Sequence, residues 1–274
     1  MSDYTSTNRA NWGDRVPIHL SSTQAYNVDA FVADPAMISR TVQFDSERMP
    51  DLTGKRIIHL MCHLGLDTLS FARLGADATG LDFSGESVAV ATDAANRTGL
   101  DTQFVHSDVY AAREAVEGDF DIVYMTYGVL NWLPDMGKLA EVVKSLLKPG
   151  GLFHLTEHHP MAMALEIPSE CDELRLNSDY FGSAEPTVNE SETSYISGEG
   201  KIDHSTTYQW QHTLSDVVTG LLSAGLRLTA LHEFPYGIFP TGKPLSKRPD
   251  GYWHYAERPE QAPLMFTVQA SNAL

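Results

Sequence analysis

Between Arg56 and Ser84 the chain reads RIIHLMCHLGLDTLSFARLGADATGLDFS. Its first residues, Arg56–Leu60, form a short apolar run of strand length with β-branched Ile57 and Ile58 at the centre. A turn follows, Met61-Cys62-His63-Leu64-Gly65, and Leu66–Leu74 then carries apolar residues at helical spacing. Gly75 stands where a helix C-terminal cap belongs. Ala78–Leu81 is strand-like again and runs into an acid, Asp82, after which Ser84 can cap a second helix, Ser84–Arg97. Strand, helix, strand, helix in so short a span predicts parallel strands joined by crossover helices.

The alternation extends outward to Glu157. Gln103–His106, Asp121–Met125 and Leu152–Thr156 read as strands, Tyr110–Val116 and Pro134–Leu147 as helices. Gly99 caps the second helix, and Pro149-Gly150-Gly151 stops the last one. The fold class is therefore α/β, with a doubly wound, mostly parallel sheet. Residues 1–50 are polar and interrupted, carrying Tyr4, Trp12, Tyr26, Phe31 and Phe44, and read as short helices forming an N-terminal arm. Beyond Pro160 the pattern breaks. Met161–Ser191 is loop-like, and Glu192–Ile196 with Ile202–Gln211 reads as a hairpin around Ser197-Gly198-Glu199-Gly200. Thr213–Ala224 reads as a helix, Leu226–Phe234 as a strand, Pro235–Pro263 as a loop and Leu264–Ala270 as a last strand. The expected layout is an arm over residues 1–50 and a main domain over 51–274, with the insert 160–211 serving as a lid.

Composition narrows the function. Apolar residues make up 42% of the 274, yet no run approaches the roughly 18 needed to cross a bilayer. No basic stretch precedes an apolar core at the first residues, so no secretory signal is read. Two cysteines, Cys62 and Cys171, are too few for a disulfide framework or a cysteine-based zinc site, and a cytoplasmic location is the default. Lys and Arg total 19 against 36 Asp and Glu, a net charge of −17 with no basic cluster. Such a field repels phosphate backbones, which argues against nucleic acid and for a small-molecule substrate.

In an open α/β sheet the ligand crevice lies beyond the carboxyl ends of the strands. Four turns matter here: Met61–Gly65, Asp82-Phe83-Ser84, Ser107-Asp108-Val109, and Thr126-Tyr127-Gly128 leading to Trp132. A carboxylate such as Asp82 at the end of the second strand suits the paired hydroxyls of a ribose. Asp108 reads equally well as a helix N-cap.

These turns, in this order, followed by helix, strand, long connection and terminal strand, resemble the class I S-adenosylmethionine-dependent methyltransferases. The resemblance implies a seven-strand sheet whose last strand runs antiparallel between the fifth and sixth, S-adenosyl-L-methionine as cofactor and S-adenosyl-L-homocysteine as product. The family's first turn is acidic-x-Gly-x-Gly-x-Gly. Here His59 takes the acidic position, Met61 and His63 take the first two glycine positions, and Gly65 alone is kept. The form Leu-x-Cys-His-x-Gly-Leu-Asp-Thr, through Cys62, Asp67 and Thr68, is similar to a variant in stand-alone bacterial members. The resemblance gives Asp82 to the ribose, Phe83 and Val109 to the adenine ring, Asp108 to its amino group and Thr126 to the sulfonium side. It also has Trp12 closing over the cofactor, with Arg15 pairing its carboxylate.

Two other readings stay open. A nicotinamide-dependent oxidoreductase would also use Asp82, but it needs three glycines against the pyrophosphate. The degenerate first turn also fits a cofactor-binding protein without activity.

Methyl transfer from a sulfonium needs alignment and exclusion of water, with a base only for a protonated nucleophile. His158 and His159, which follow Glu157 at the end of the fifth strand, are the candidate bases, one of them expected to face the crevice. Tyr127, Trp132, Tyr208 and Trp210 are the candidate substrate contacts. No His-x-x-x-His on a helix and no Cys–His spacing occurs, so no metal is expected.

Overall fold

The arm is more helical than its polar, interrupted sequence suggests. A computed structural model describes residues 3–22, 25–166, 173–240 and 244–273, so Cys171 lies outside the described residues. Helix α1 spans Asp3–Ser21, α2 Val28–Ala33 and α3 Arg40–Ser46. Asn27 and Ser39 cap the second and third with side-chain oxygens. The alternating region follows as β1 Arg56–Leu60, α4 Leu66–Arg73, β2 Asp77–Asp82, α5 Gly85–Thr98 and β3 Gln103–His106. It continues through a 3-10 turn into α6 Ala112–Ala115, then β4 Phe120–Thr126, α7 Met136–Leu146 and β5 Leu147–His158. β5 starts earlier than expected because Leu147 already pairs with Phe120, with a register shift before Ile122 pairs with Leu152.

The remainder comprises α8 Pro160–Ala164, β6 Leu165–Glu166, β7 Arg175–Leu176, β8 Thr187–Glu190, β9 Thr206–Gln209, α9 Leu214–Ser223 and β10 Leu226–Phe234. It closes with β11 Tyr236–Gly237, β12 Leu245–Lys247, β13 Trp253–Tyr255 and β14 Met265–Asn272. Three expectations need correction. The segment read as loop-like over Met161–Ser191 carries α8, the paired strands β6 and β7, and β8. The hairpin strands are Thr187–Glu190 and Thr206–Gln209, so Glu192–Ile196 belongs to the connection between them. The segment 235–263 is not a bare loop, since β12, β13 and β11 make a small antiparallel sheet within it.

The main sheet has seven strands in the order β10-β14-β5-β4-β1-β2-β3. β14 runs antiparallel to both β10 and β5, while the inner strands pair in parallel. One face buries Ile58, Val123, Met125, Phe153 and Val268 against α7 and α9. The other buries Ile57, Ile122 and Tyr124 against Val42 of α3 and Phe71 of α4.

That second face also holds a polar junction. Asp45 of α3 is fully buried, and its carboxylate accepts from Tyr124 Oη (2.6 Å), Thr156 Oγ1 (2.5 Å) and His154 Nε2 (3.1 Å). Gln269 Nε2 donates to His154 Nδ1 at 3.0 Å, which fixes the ring with its proton on Nε2. Three donors on one buried carboxylate tie the arm to the middle of the sheet.

Candidate functional site

The β1–α4 turn sets the geometry. Met61, His63 and Gly65 all have left-handed backbones, with φ of 60°, 49° and 76°. For a residue with a Cβ that conformation costs about 1–2 kcal/mol, so the turn keeps a glycine-type path although glycine is gone from two of its positions. The third cannot change, because a Cβ on Gly65 would lie 2.6 Å from Phe104 and 2.7 Å from Ala91.

This path aims the His63 N–H at Asp82, donating to Oδ2 at 2.8 Å, while the Ser84 N–H donates to Oδ1 at 2.9 Å. Each oxygen keeps a further lone pair for a ligand. Burial pushes the Asp82 carboxyl up to about 6, and the Ser84 and His63 amides pull against it. Next to it lies a small cavity lined by Met61, Phe83, Asp108, Val109 and Trp132, with Thr5 and Asn8 of α1 above. Asp108 both lines this cavity and caps the following turn, accepting from Tyr110 N at 2.8 Å.

The arm covers this cavity and is fastened to β9 and the residues before it. Asn8 exchanges two hydrogen bonds with the Tyr208 backbone, both 2.8 Å, and Asn11 Nδ2 donates to His204 O. Asp14 accepts from the amides of Asp203 and His204. Trp12 meets His63 edge-on at 5.2 Å and Trp132 at 5.4 Å. His19 Nδ1 lies 2.7 Å from His63 Nε2, and His19 Nε2 lies 2.9 Å from Ser194 Oγ. Burial, then Arg15, lowers His19 to about 4, while burial, His19 and Arg15 hold His63 well below its usual value. Both rings are therefore neutral at neutral pH. Tyr26 stacks on His19 and its hydroxyl meets that of Tyr195 at 2.9 Å. Arg15 is buried at 8% exposure; Nε donates to Asn11 Oδ1, Ser194 Oγ and Tyr195 lie nearby, and no carboxylate among the described residues pairs with it.

A second small cleft is lined by Gly128, Leu130, Asn131, Glu157, His158, Met163, Trp210, His212 and Phe266. Residues 128–133 stand between the two spaces, with Trp132 and Leu133 on one side and Gly128, Leu130 and Asn131 on the other.

Several expected residues therefore come together. Met61, Phe83, Asp108, Val109 and Trp132 share the first cavity, Asp82, His63, Trp12 and Arg15 border its covering layer, and His158 and Trp210 share the second cleft. Asp67 opens α4, its carboxyl raised to about 6 by burial and by Asp45 against a hydrogen bond from Ser39. Thr126 ends β4 with a buried hydroxyl that has no partner among the described residues.

Others are turned elsewhere. His159 is a structural strand-end histidine: Nδ1 accepts from Met161 N at 3.0 Å and Nε2 lies 2.7 Å from Glu233 Oε1, so no lone pair is left for a base. Thr68 Oγ1 is buried against His59 Nδ1 at 3.0 Å, and Cys62 is buried with its sulfur facing the Gly80 backbone. Tyr127 packs with Phe44, Ile238 and Met265, so it supports the site from behind while its ring touches that of His158 at 4.2 Å. Tyr208 lies against Tyr4 and fastens the arm.

The sequence reading missed His19, Ser194, Asn8 and Thr5. Tyr26 and Tyr195 were visible only as aromatics in variable segments. Among the described residues no group of three His, Cys, Asp or Glu side chains is arranged to hold a metal ion.

Comparison with known proteins matches residues 57–151 to a family described as a methyltransferase domain. The ubiquinone biosynthesis O-methyltransferase of Paraburkholderia phymatum is 36% identical over 102 residues, 36% of this chain and 43% of that protein. That of Pectobacterium atrosepticum is 35% identical over 106 residues, 39% of this chain and 44% of that protein. The match thus spans less than half the length of these curated relatives. Among solved structures, an S-adenosylmethionine-dependent methyltransferase from Mesorhizobium loti superposes with a TM-score of 0.59 at 22% identity, covering 85% of this chain and 98% of that one. At that identity the likeness concerns the fold.

Proposed function

We propose that the chain, whose residues 57–151 match a methyltransferase-domain family, is a class I S-adenosylmethionine-dependent methyltransferase and transfers a methyl group from S-adenosyl-L-methionine to a small molecule bearing a hydroxyl, amine or heteroaromatic nucleophile. S-adenosyl-L-homocysteine is the other product. The observation that carries this reading is Asp82, buried between two backbone donors beside the cavity of Phe83, Asp108 and Val109. Its remaining lone pairs suit both ribose hydroxyls, Phe83 and Val109 suit the faces of the adenine, and Asp108 suits its amino group. Arg15, a buried cation without an anionic partner among the described residues, suits the amino-acid carboxylate. No Lys or Arg lines the cavity, which disfavours a pyrophosphate and with it a nicotinamide dinucleotide.

The cofactor supplies a methyl group activated on a sulfonium. The chain's own contribution is alignment and dryness: Trp12, His19, His63, Tyr26 and Tyr195 close over the crevice, and the insert joins the arm as a lid. His158, at the second cleft, takes the proton from a hydroxyl or ammonium acceptor. The relatives are named for O-methylation, so a neutral hydroxyl compound is the first acceptor class to try. Of the described residues, no helix is long and apolar enough to cross a membrane, which is compatible with the cytoplasmic location expected from the sequence.

Calorimetry with S-adenosyl-L-homocysteine and S-adenosyl-L-methionine tests the donor, and binding of both is expected. No heat at millimolar ligand would sink the reading. A panel of hydroxyl, amine and carboxylate acceptors, scored by homocysteine-product release, then tests the acceptor class. With an active acceptor, His158→Ala is expected to remove the acidic limb of the pH profile.

A further inference from the structure

We propose that Glu157 is a positioning residue that sets both walls of the site by clamping residues 128–130, and that it is not a proton acceptor; this rests on the two-space reading above. Its side chain leaves the end of β5 and accepts four backbone hydrogen bonds. Oε1 takes Gly128 N at 2.5 Å and His158 N at 2.7 Å, and Oε2 takes Val129 N at 2.7 Å and Leu130 N at 3.0 Å. A carboxylate has about four acceptor positions, so the group is full. The residue is 5% exposed, and a base needs an open lone pair facing its proton.

The clamp is needed because Gly128 and Val129 lie between β4 and the following 3-10 turn, where no strand or helix partner satisfies their amides. What hangs on it reaches both spaces. The Gly128 carbonyl accepts the Trp132 indole N–H at 2.9 Å, and Trp132 lines the first cavity and meets Trp12 of the arm. Asn131 O accepts Trp210 N at 2.8 Å, and Leu133 O lies 2.6 Å from His212 Nε2, both partners lining the second cleft. On the far side His158, next in sequence, rests its ring on Tyr127. One carboxylate thus fixes the indole that faces the donor and the histidine that faces the acceptor. A charge-only role at the second cleft would not explain the bonds to three consecutive amides.

Glu157→Gln keeps the shape but turns an N–H2 towards donor N–H groups, breaking about half of the clamp. Three measurements read the result. In the ligand-free wild type, hydrogen exchange at the amides of 128–130 is expected to be slow compared with the exposed connection 191–205. In Glu157→Gln those amides are expected to exchange faster while the strands of the main sheet stay protected, and the Kd for S-adenosyl-L-homocysteine is expected to rise about tenfold. Turnover is expected to fall with both limbs of the pH profile in place. Fast exchange at 128–130 in the wild type overturns the clamp, whether or not the variant folds. Unchanged affinity and unchanged exchange in a folded variant also overturn it, and loss of a pH limb at unchanged affinity makes Glu157 a base instead. Wild-type protein that binds no homocysteine product would fail the donor reading, while the exchange data would still decide the clamp.

Discussion

Asp82 ends β2 with two amides already on its carboxylate, and burial lifts its carboxyl to about 6. The sign of its effect differs between folding and binding. Because the folded protein holds this proton more tightly than the unfolded chain, the group's contribution to stability declines as pH rises from about 4 to about 6. Ribose hydroxyls donate to the ionised form, so donor affinity should decline in the opposite direction, as pH falls through about 6. Titrating the Kd of S-adenosyl-L-homocysteine from pH 8 to pH 5 checks this, and Asp82→Asn should flatten the dependence and weaken binding about tenfold or more. A flat wild-type profile would remove Asp82 from the ribose. This residue was legible because its signal is local: an acid at a strand end, followed by a serine cap. His63 was legible only as a missing glycine. Its actual work, an amide aimed at Asp82 and a ring against His19, depends on a backbone angle and on a residue 44 positions away, neither written in a sequence period. For the same reason His159 was indistinguishable from His158 until Glu233 on β10 was seen to occupy it.

At the level of elements, α1 is the least expected and carries the most consequence. Its polar sequence has no clear apolar stripe, since Asn8, Asn11, Arg15 and His19 are among its buried residues. Those side chains are satisfied by β9 and its approach, by Ser194 and by His63, so the helix depends on partners distant in sequence. The sheet, by contrast, was legible almost strand by strand, because parallel strands buried on both faces read as apolar runs and their helices end at glycines. The hairpin slipped because Thr193, Tyr195 and Ile196 look like a strand while serving as the loop that meets Tyr26 and His19. The contacts of His19 with His63 and Ser194 act as a latch on α1. His19 is lowered to about 4 by burial and Arg15, so the folded state binds its proton less readily than the unfolded chain. Its contribution to stability is complete above about 6.5 and is lost as pH falls towards about 4. Limited proteolysis within residues 3–22 should therefore accelerate across that window, with α7 unaffected, and His19→Ala should give fast cleavage already at pH 7.5. Arm protection that ignores pH would separate the latch from the His19–His63 contact.

Over the whole molecule, the arm, sheet and insert are joined at few, polar points: Asp45 under the sheet, Glu157 at the β4–β5 edge, and the His19–His63 contact above it. Each is a polar group held by several hydrogen bonds, and the chain as a whole carries a net charge of −17. S-adenosyl-L-methionine has one more positive charge than S-adenosyl-L-homocysteine, the difference being the sulfonium. A field of this sign should favour the substrate form over the product form, which helps product leave, and screening should erase part of that preference. The ratio of the two Kd values, measured between about 0.02 M and 0.5 M salt, where the screening length shrinks from about 20 Å to about 4 Å, isolates the effect because everything but the sulfonium is shared. The expected result is that the substrate form loses affinity faster with salt than the product form. Parallel slopes would mean that only local contacts distinguish the two ligands, and that the acidic surface serves solubility alone.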